Sequence, residues 1–206
     1  MKTHPAEKEL KRLPERAKIV VLFSGKGTNL ENLIRHFHHQ KFGDTETEIV
    51  PITNRPDAEG ILRAKRYGID TVVIDHRNYK NRELFDTKLV EVIRSHSPKL
   101  VVMAGFMRIL TPIFTSQIEA INLHPSLLPL FKGANAIMRS FESGMKVGGV
   151  TIHRVSQELD SGEILAQACV GIAEEDTLES FTRNIQETEY RLLPEVVKKL
   201  LNLPDP

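Results

Sequence analysis

The sequence has few cysteines and no long apolar run, and each absence excludes a class of protein. It contains one cysteine, Cys169, and no tryptophan in 206 residues. A single thiol excludes an internal disulfide framework and a cysteine-based zinc cluster, and it is typical of a reducing compartment. No apolar run approaches the roughly 20 residues that a membrane helix requires, and the N-terminus lacks the apolar segment of a signal peptide. We therefore expect a cytoplasmic protein that does not insert into a membrane.

An excess of charge of either sign is also missing. Lysine and arginine number 28 and aspartate and glutamate 27, so the formal net charge is +1. This balance does not indicate the basic surface that a nucleic acid requires, and we expect no nucleic-acid partner. The length fits one domain. We assign the polar residues 1–17 to a lead-in and residues 18–206 to a single domain.

What the sequence does contain is an alternation of short apolar runs with helical patterns. Residues 18–23, KIVVLF, are typical of a strand buried on both faces of a parallel sheet, and helical spacing follows them. Further patterns predict strands over 48–53, 71–75 and 99–104 and helices over 58–67 and 81–96. Successive strand–helix units predict an α/β fold with a doubly wound, mostly parallel sheet, in which ligands gather at the carboxyl ends of the strands.

The C-terminal part of the chain follows a different pattern. Residues 148–155 and 163–172 are two β runs joined by the short bridge SQELDSG, which favours an antiparallel pair with Asp160 on its loop. From Asp176 onward, apolar residues recur at the spacing of one long amphipathic helix. We therefore expect an antiparallel extension of the sheet and a long C-terminal helix that packs on it.

The glycine-rich stretch SGKGTN, residues 24–29, joins the first predicted strand to the first predicted helix. The NH groups of such a turn and the positive end of the helix dipole favour an anion, and Gly25 and Gly27 would let a phosphate approach the backbone. The alternative is a tight turn that binds nothing. Because the stretch is neither a Walker A loop nor GxGxxG, it does not favour a nucleoside triphosphate or a dinucleotide.

A further stretch, AINLHPSLLP at residues 120–129, carries polar side chains at the end of an apolar strand. Alternate residues of an extended chain face the same way, so Asn122 and His124 are expected to point into one space. With Asp160 they would bring together an amide, an imidazole and a carboxylate able to stabilise an oxyanion and to move protons. The alternative is that Asn122 caps a turn and that His124 is a partly buried histidine with satisfied hydrogen bonds.

The stretches SGKGTN, AGFMRIL, NLHPSLLP and ELDSG, in this order and spacing, resemble the formyltetrahydrofolate-dependent formyltransferases over roughly residues 18–200. The resemblance implies a Rossmann-like fold and a one-carbon transferase that uses 10-formyltetrahydrofolate as its co-substrate, without a metal. It is strongest to the branch that formylates the amine of 5-phosphoribosylglycinamide in de novo purine (IMP) biosynthesis. The implied partners are small molecules, and the sequence does not decide between a monomer and a homodimer.

The resemblance also implies roles for individual residues. The substrate phosphate would be held by Gly27, Thr28 and Asn29, with Gln186 and Glu189 near the ribose and glycinamide. The folate would contact Arg82, Met107, Arg108, Ile109, Leu110 and Asn122, and catalysis would depend on Asn122, His124 and Asp160. Asp160 is expected to favour the protonated form of His124, which with Asn122 would donate to the formyl oxygen. His153 is expected to be structural or to neighbour the site, and His36, His38 and His39 to form a solvated helix end rather than a metal site.

Two departures from the family pattern bear on the substrate. The turn commonly has serine where Thr28 stands, which keeps the hydroxyl. Residues 131–141, FKGANAIMRSF, lack the histidine of the closest members and are more similar to the methionyl-tRNA and sugar-nucleotide branches. The methionyl-tRNA enzymes add an RNA-binding barrel and the formyltetrahydrofolate deformylases usually begin with a regulatory domain, so the first is set aside and the second is a lesser candidate. A sugar-nucleotide formyltransferase and an inactive folate- or phosphate-binding regulator are also kept as candidates.

Overall fold

The computed structural model describes residues 15–204, whose strands form one twisted sheet between helices. The strands are β1 Glu15–Phe23, β2 Gln40–Phe42, β3 Thr45–Thr53, β4 Val72–Val73, β5 Leu100–Met103, β6 Ala120–His124, β7 Val147–Arg154 and β8 Ile164–Gly171. The helices are α1 Thr28–Phe37, α2 Gly60–Arg66, α3 Arg82–Ser95, α4 Pro112–Thr115, α5 Ala136–Glu142 and α6 Leu178–Leu200.

The strand order is β2-β3-β1-β5-β6-β7-β8, with β4 paired to β3. The pairs β3–β1, β1–β5 and β5–β6 are parallel, whereas β6–β7 and β7–β8 are antiparallel. The predicted fold class is confirmed, including the antiparallel extension and the long C-terminal helix. Among the described residues, no helix has the length and apolar character needed to cross a membrane.

The continuous apolar run of β1 is buried on both faces of the sheet. Val21 belongs to one apolar cluster with Leu33 of α1 and Phe181 of α6, and Leu22 belongs to another with Phe85 of α3. Because successive side chains of a strand point to opposite faces, this run requires helices on both sides. Helices therefore cover both faces of the sheet, and the loops at its strand ends remain for binding.

Several boundaries differ from those predicted. β1 begins at Glu15, so residues 15–17 of the predicted lead-in belong to the strand, and residues 1–14 lie outside the described part of the chain. The predicted strand 71–75 contributes only the two residues of β4, and the predicted helix 58–67 is shortened to α2. No periodic signal indicates the three-residue strand β2, because it forms only by pairing back on β3 through the turn at Gly43, where φ is 58°.

Parallel pairing places the loops that follow β1, β5 and β6 at one edge of the sheet. The main-chain NH of Ser24, just after β1, donates to the carbonyl oxygen of Gly105, just after β5, at 3.0 Å. The loop that carries Asp160 follows β7, and Asp160 contacts side chains of both β6 and β7. The stretches singled out in the sequence therefore assemble in one region.

Candidate active site

The turn between β1 and α1 is shaped by its glycines. Gly27 has φ +68°, a left-handed conformation that favours glycine, and it immediately precedes Thr28, the first residue of α1. A Cβ on Gly27 would lie 2.5 Å from Cα of Gly60 in α2, whereas a Cβ on Gly25 would meet nothing within 4 Å. Only glycine therefore fits at position 27, because the backbone is left-handed there and α2 passes close to it. No pattern in the sequence indicates this approach of α2. The space beside Gly25 fits the expected anion site.

Helix α6 meets the first turn of α1. Asn29 Nδ2 donates a hydrogen bond to Glu189 Oε2 at 2.9 Å, and Asn29 Oδ1 is buried without a hydrogen-bond partner within residues 15–204. Glu189 is 8% exposed, and burial raises the pKa of its carboxyl group to about 7, although the Asn29 hydrogen bond acts in the opposite direction. Gln186 is half-buried on the preceding turn of α6. Asn29 and Glu189 thus meet, and Asn29 retains an acceptor that a ligand can use.

Asn122 and His124 project from β6 toward the same carboxylate. His124 Nδ1 lies 3.4 Å from Asp160 Oδ2, and Asn122 Nδ2 lies 3.5 Å from Asp160 Oδ1. His124 and Asp160 are buried, and Asn122 is half-buried. A rotated Asn122 amide would direct its oxygen at the carboxylate, so repulsion favours the orientation with Nδ2 toward Asp160. The structure therefore brings together the amide, imidazole and carboxylate that the sequence indicated.

A fourth side chain, His153, belongs to the same cluster. It lies opposite Asn122 in the antiparallel β6–β7 pairing, is 2% exposed, and places Nε2 at 3.1 Å from Asn122 Nδ2 and 3.6 Å from Asp160 Oδ1. Its Nδ1 lies 2.8 Å from the carbonyl oxygen of Arg154, which only accepts, so Nδ1 carries a hydrogen. Neutral His153 thus accepts from Asn122 through Nε2, and protonated His153 donates from Nε2 to Asp160.

The electrostatics of the cluster centre on Asp160. Burial alone would raise the pKa of the Asp160 carboxyl group, but hydrogen bonds from His153 and from the Gly133 NH at 2.8 Å, with the charge of the two histidines, bring that pKa below its usual range. His124 Nε2 lies 3.0 Å from the carbonyl oxygen of Phe131 and therefore carries a hydrogen. A carboxylate that stays ionised in this position offers a base for proton transfer.

A cleft opens beside this cluster. One wall is formed by Arg108, Ile109 and Leu110, the other by residues 155–160, and Asn122 and His153 also line it. Arg108 Nε is buried without a hydrogen-bond partner among the described residues. The cleft therefore combines apolar surface from Ile109, Leu110 and Leu159 with several polar side chains, a mixture that is typical of small-molecule sites.

Two of the predicted folate-binding residues, Arg82 and Met107, do not line this cleft in the part of the chain that the structure describes. Met107 is 79% exposed, because its NH is turned inward to the Ser24 hydroxyl while its side chain points to solvent. Arg82 is exposed at the start of α3. The sequence could not tell which side chains of this loop face the cleft, and the folate contacts stay a prediction.

Comparison with known proteins identifies a family for this chain. The profile of the family described as Formyl transferase matches residues 17–197. The chain belongs to the formyl transferase family. The resemblance seen in the motifs is thereby confirmed.

Relatives within the family match nearly the whole chain. Phosphoribosylglycinamide formyltransferase of Haemophilus influenzae is 40% identical over 184 residues, which are 88% of this chain and 85% of that protein. The crystal structure of phosphoribosylglycinamide formyltransferase from Campylobacter jejuni has a TM-score of 0.87 and 50% identity, covering 90% of this chain and 98% of that one. The trifunctional purine biosynthetic protein adenosine-3 of Gallus gallus is 42% identical over 182 residues, and this chain spans only 18% of its length.

The segment 131–141, which departs from the motif expected of the closest family members, is tied to the catalytic cluster. Its Gly133 NH holds Asp160, its Phe131 carbonyl holds His124, and its Lys132 ammonium bonds the hydroxyl of Ser161. Main-chain groups make the first two contacts, so they do not depend on a histidine in this segment. The bonds to Asp160 and His124 are therefore compatible with the side chains that this segment carries.

Proposed function

We propose that this enzyme transfers the formyl group of 10-formyltetrahydrofolate to the amine of 5-phosphoribosylglycinamide, in the cytoplasm, as a step of de novo purine biosynthesis. The observation that supports this most directly is the Asn122, His124 and Asp160 cluster, which lies beside the cleft and at the same strand-end edge of the sheet as the turn 24–29. The relatives named phosphoribosylglycinamide formyltransferase, matched over most of their length, support the same activity. We also propose that residues 18–206 act as a single formyltransferase domain.

In the proposed reaction the acceptor amine attacks the formyl carbon, and negative charge develops on the formyl oxygen. In this proposal the formyl oxygen takes over two hydrogens that point to protein groups in the structure. One is on Asn122 Nδ2, directed at His153 or Asp160, and the other is on Nε2 of protonated His124, directed at the Phe131 carbonyl. Each such donor is worth a few kcal/mol, or roughly a hundredfold in rate, in comparable sites. The new carbon–nitrogen bond leaves a surplus proton on the attacking nitrogen. Asp160 accepts this proton, directly or through water, and a proton returns to the folate nitrogen as its bond to the formyl carbon breaks.

The acceptor is held, in this proposal, between α1 and α6. The main-chain NH groups at Gly27, Thr28 and Asn29 and the positive end of the α1 dipole bind the phosphate. Glu189 and Gln186 on α6 receive the ribose and glycinamide groups. The unused Oδ1 of Asn29 and the carboxyl of Glu189 both suit hydroxyl or amine donors.

The donor occupies the cleft lined by segment 108–110. This molecule supplies an activated formyl group, and the residues of the cleft fit its parts. Ile109 and Leu110 offer apolar surface to its rings, and Arg108, with its Nε buried and unpartnered among the described residues, suits an anionic or carbonyl group. We keep Arg82 and Met107 as proposed folate contacts only for parts of the donor that extend beyond the cleft.

A second candidate is a formyltransferase that acts on an amino sugar nucleotide. The observation that favours it is the segment 131–141, whose sequence FKGANAIMRSF resembles that branch. Both candidates use the same donor and the same catalytic cluster. They differ in the acceptor substrate, which is bound beside the turn 24–29.

The decisive experiment measures formyl transfer from 10-formyltetrahydrofolate with phosphoribosylglycinamide, a 4-amino sugar nucleotide or water as the acceptor. We expect saturable transfer to phosphoribosylglycinamide, lost in Asn122→Ala and His124→Ala. Transfer to the sugar nucleotide alone would establish the second candidate. Turnover with water alone would indicate a deformylase, and folate binding without turnover an inactive regulator.

A further inference from the structure

Segment 107–111, which includes one wall of the donor cleft, is fastened at both ends by buried side chains from elsewhere in the chain. At its start, Met107 NH donates to Ser24 Oγ at 2.7 Å. At its end, Thr111 NH donates to Asp86 Oδ2 at 2.6 Å. Ser24 is 2% exposed and Asp86 is 1% exposed, so both accepting side chains are shielded from water. The backbone between these two points has its position set by groups that do not line the cleft.

Ser24 also connects this segment to the anion-binding turn. Its hydroxyl accepts from Met107 NH and donates to Asn54 Oδ1 at 2.6 Å, and its own NH donates to the Gly105 carbonyl oxygen. Asn54 follows β3, Gly105 follows β5, and Ser24 itself opens the turn that leads to Gly27. One hydroxyl therefore fixes three strand-end loops relative to one another, including those assigned to the acceptor phosphate and to the donor.

Asp86 holds the other end of segment 107–111. It lies on α3, whose apolar residues pack on the face of the sheet opposite to α1. Burial raises the pKa of its carboxyl group, and the Thr111 NH and the charge of Arg108 act against that rise. Asp86 thus holds the donor segment through Thr111, at the end far from the turn 24–29.

We propose that Ser24 and Asp86 are positioning residues that act on different sites. Asp86 positions the main chain of the donor site alone, whereas Ser24 positions the main chain of both the donor and the acceptor site. The proposal rests on the proposed function for the names of the two substrates. Loss of the Ser24 hydroxyl releases Met107 NH and removes the bond from the turn to Asn54, while the main-chain bond to Gly105 remains. The segment and the turn are then both held less tightly, so the binding of both substrates weakens. Loss of the Asp86 carboxylate frees only the segment at Thr111, so the binding of the donor weakens and that of the acceptor does not.

The test compares KM for both substrates, kcat and thermal unfolding in the wild type, Ser24→Ala and Asp86→Ala. We expect Ser24→Ala to raise both KM values about tenfold, the ratio that corresponds to the loss of about 1.4 kcal/mol. Asp86→Ala is expected to raise only the KM for 10-formyltetrahydrofolate by a similar factor. Asp86→Asn keeps an oxygen that accepts from Thr111 NH and should return that KM close to the wild-type value. If Ser24→Ala does not fold, Ser24→Cys replaces it in the test.

Thr47→Val is the matched control. Thr47, on β3, is fully buried, and its hydroxyl bonds the Phe37 carbonyl, away from the strand-end loops of the site. The substitution should lower thermal stability and leave both KM values unchanged. An acceptor KM raised equally by Asp86→Ala and Ser24→Ala, or a donor KM unchanged in both, overturns the proposal.

Titration calorimetry with tetrahydrofolate separates this inference from the proposed function. The wild type and each variant are titrated with tetrahydrofolate alone, which probes the donor cleft whatever the acceptor is. If the wild type binds tetrahydrofolate but fails to formylate phosphoribosylglycinamide, only the acceptor assignment falls. If the wild type binds and both variants bind equally well, the positioning roles of Ser24 and Asp86 are refuted.

Discussion

Glu189 offers a quantitative test of how the acceptor site is built, because ionisation of its buried carboxyl group lowers the stability of the folded protein. It is 8% exposed, and its pKa is raised by burial from 4.5 to about 7. The folded protein therefore keeps the proton of Glu189 up to about pH 7, whereas the unfolded chain releases it near 4.5. Within this window the folded state binds more protons, so stability falls as the pH rises.

The magnitude follows from the width of the window. The interval from 4.5 to about 7, at about 1.4 kcal/mol for each unit of pKa, corresponds to about 3 kcal/mol of lost stability, complete above about pH 7. Glu189→Gln cannot ionise and keeps an oxygen for Asn29 Nδ2. Its new amide NH2 can also donate to Asn29 Oδ1, which is buried without a hydrogen-bond partner in residues 15–204. The variant should therefore escape the penalty that the wild type carries at high pH.

The assay is urea unfolding of both proteins from about pH 4 to about pH 8.5. The free energy of unfolding of the variant, minus that of the wild type, should grow by about 3 kcal/mol across this range. Glu187→Gln, on the exposed face of α6, is the matched control and should show no such growth. A difference for Glu189→Gln that stays flat with pH would refute the claim that burial keeps Glu189 protonated. At about pH 8, where Glu189 is ionised, the same variant should raise the KM for phosphoribosylglycinamide, because the carboxylate is then missing from the acceptor site.

The remaining predictions concern the cluster, the turn and the long helix. His153→Phe removes the hydrogen bond with Asn122 and should lower kcat about 10²-fold in steady-state assays with little change in either KM; an unchanged kcat would show that His153 only fills space. Gly27→Ala places a Cβ 2.5 Å from Cα of Gly60 at φ +68°, so urea unfolding should show a loss of more than about 2 kcal/mol, and a wild-type midpoint would contradict this. Thr177→Ala removes the capping box of α6 and should cost about 1 kcal/mol in thermal unfolding while transfer kinetics stay as in the wild type. Slower kinetics in that variant would mean that the helix start also positions the substrate.

The sequence by itself determined the fold class and indicated which strand ends carry the candidate site. The β1 run is buried on both faces, as its unbroken apolar pattern requires, and the alternation with helical spacing led to a parallel sheet. Local rules also placed Asn122 and His124 on one side of their strand, because residues two apart on a strand face the same way. The motifs and their order identified the family.

The tertiary structure alone decided which distant groups meet. His153 enters the cluster because the β6–β7 register sets it opposite Asn122, and no pattern within β7 encodes that register. Gly27 must be glycine because α2 passes beside it, and Asn29 meets Glu189 across 160 positions of sequence. Periodicity reports how a segment is buried but not which partner buries it. The pKa values of Glu189 and Asp160 depend on those partners, and so they follow only from the folded chain.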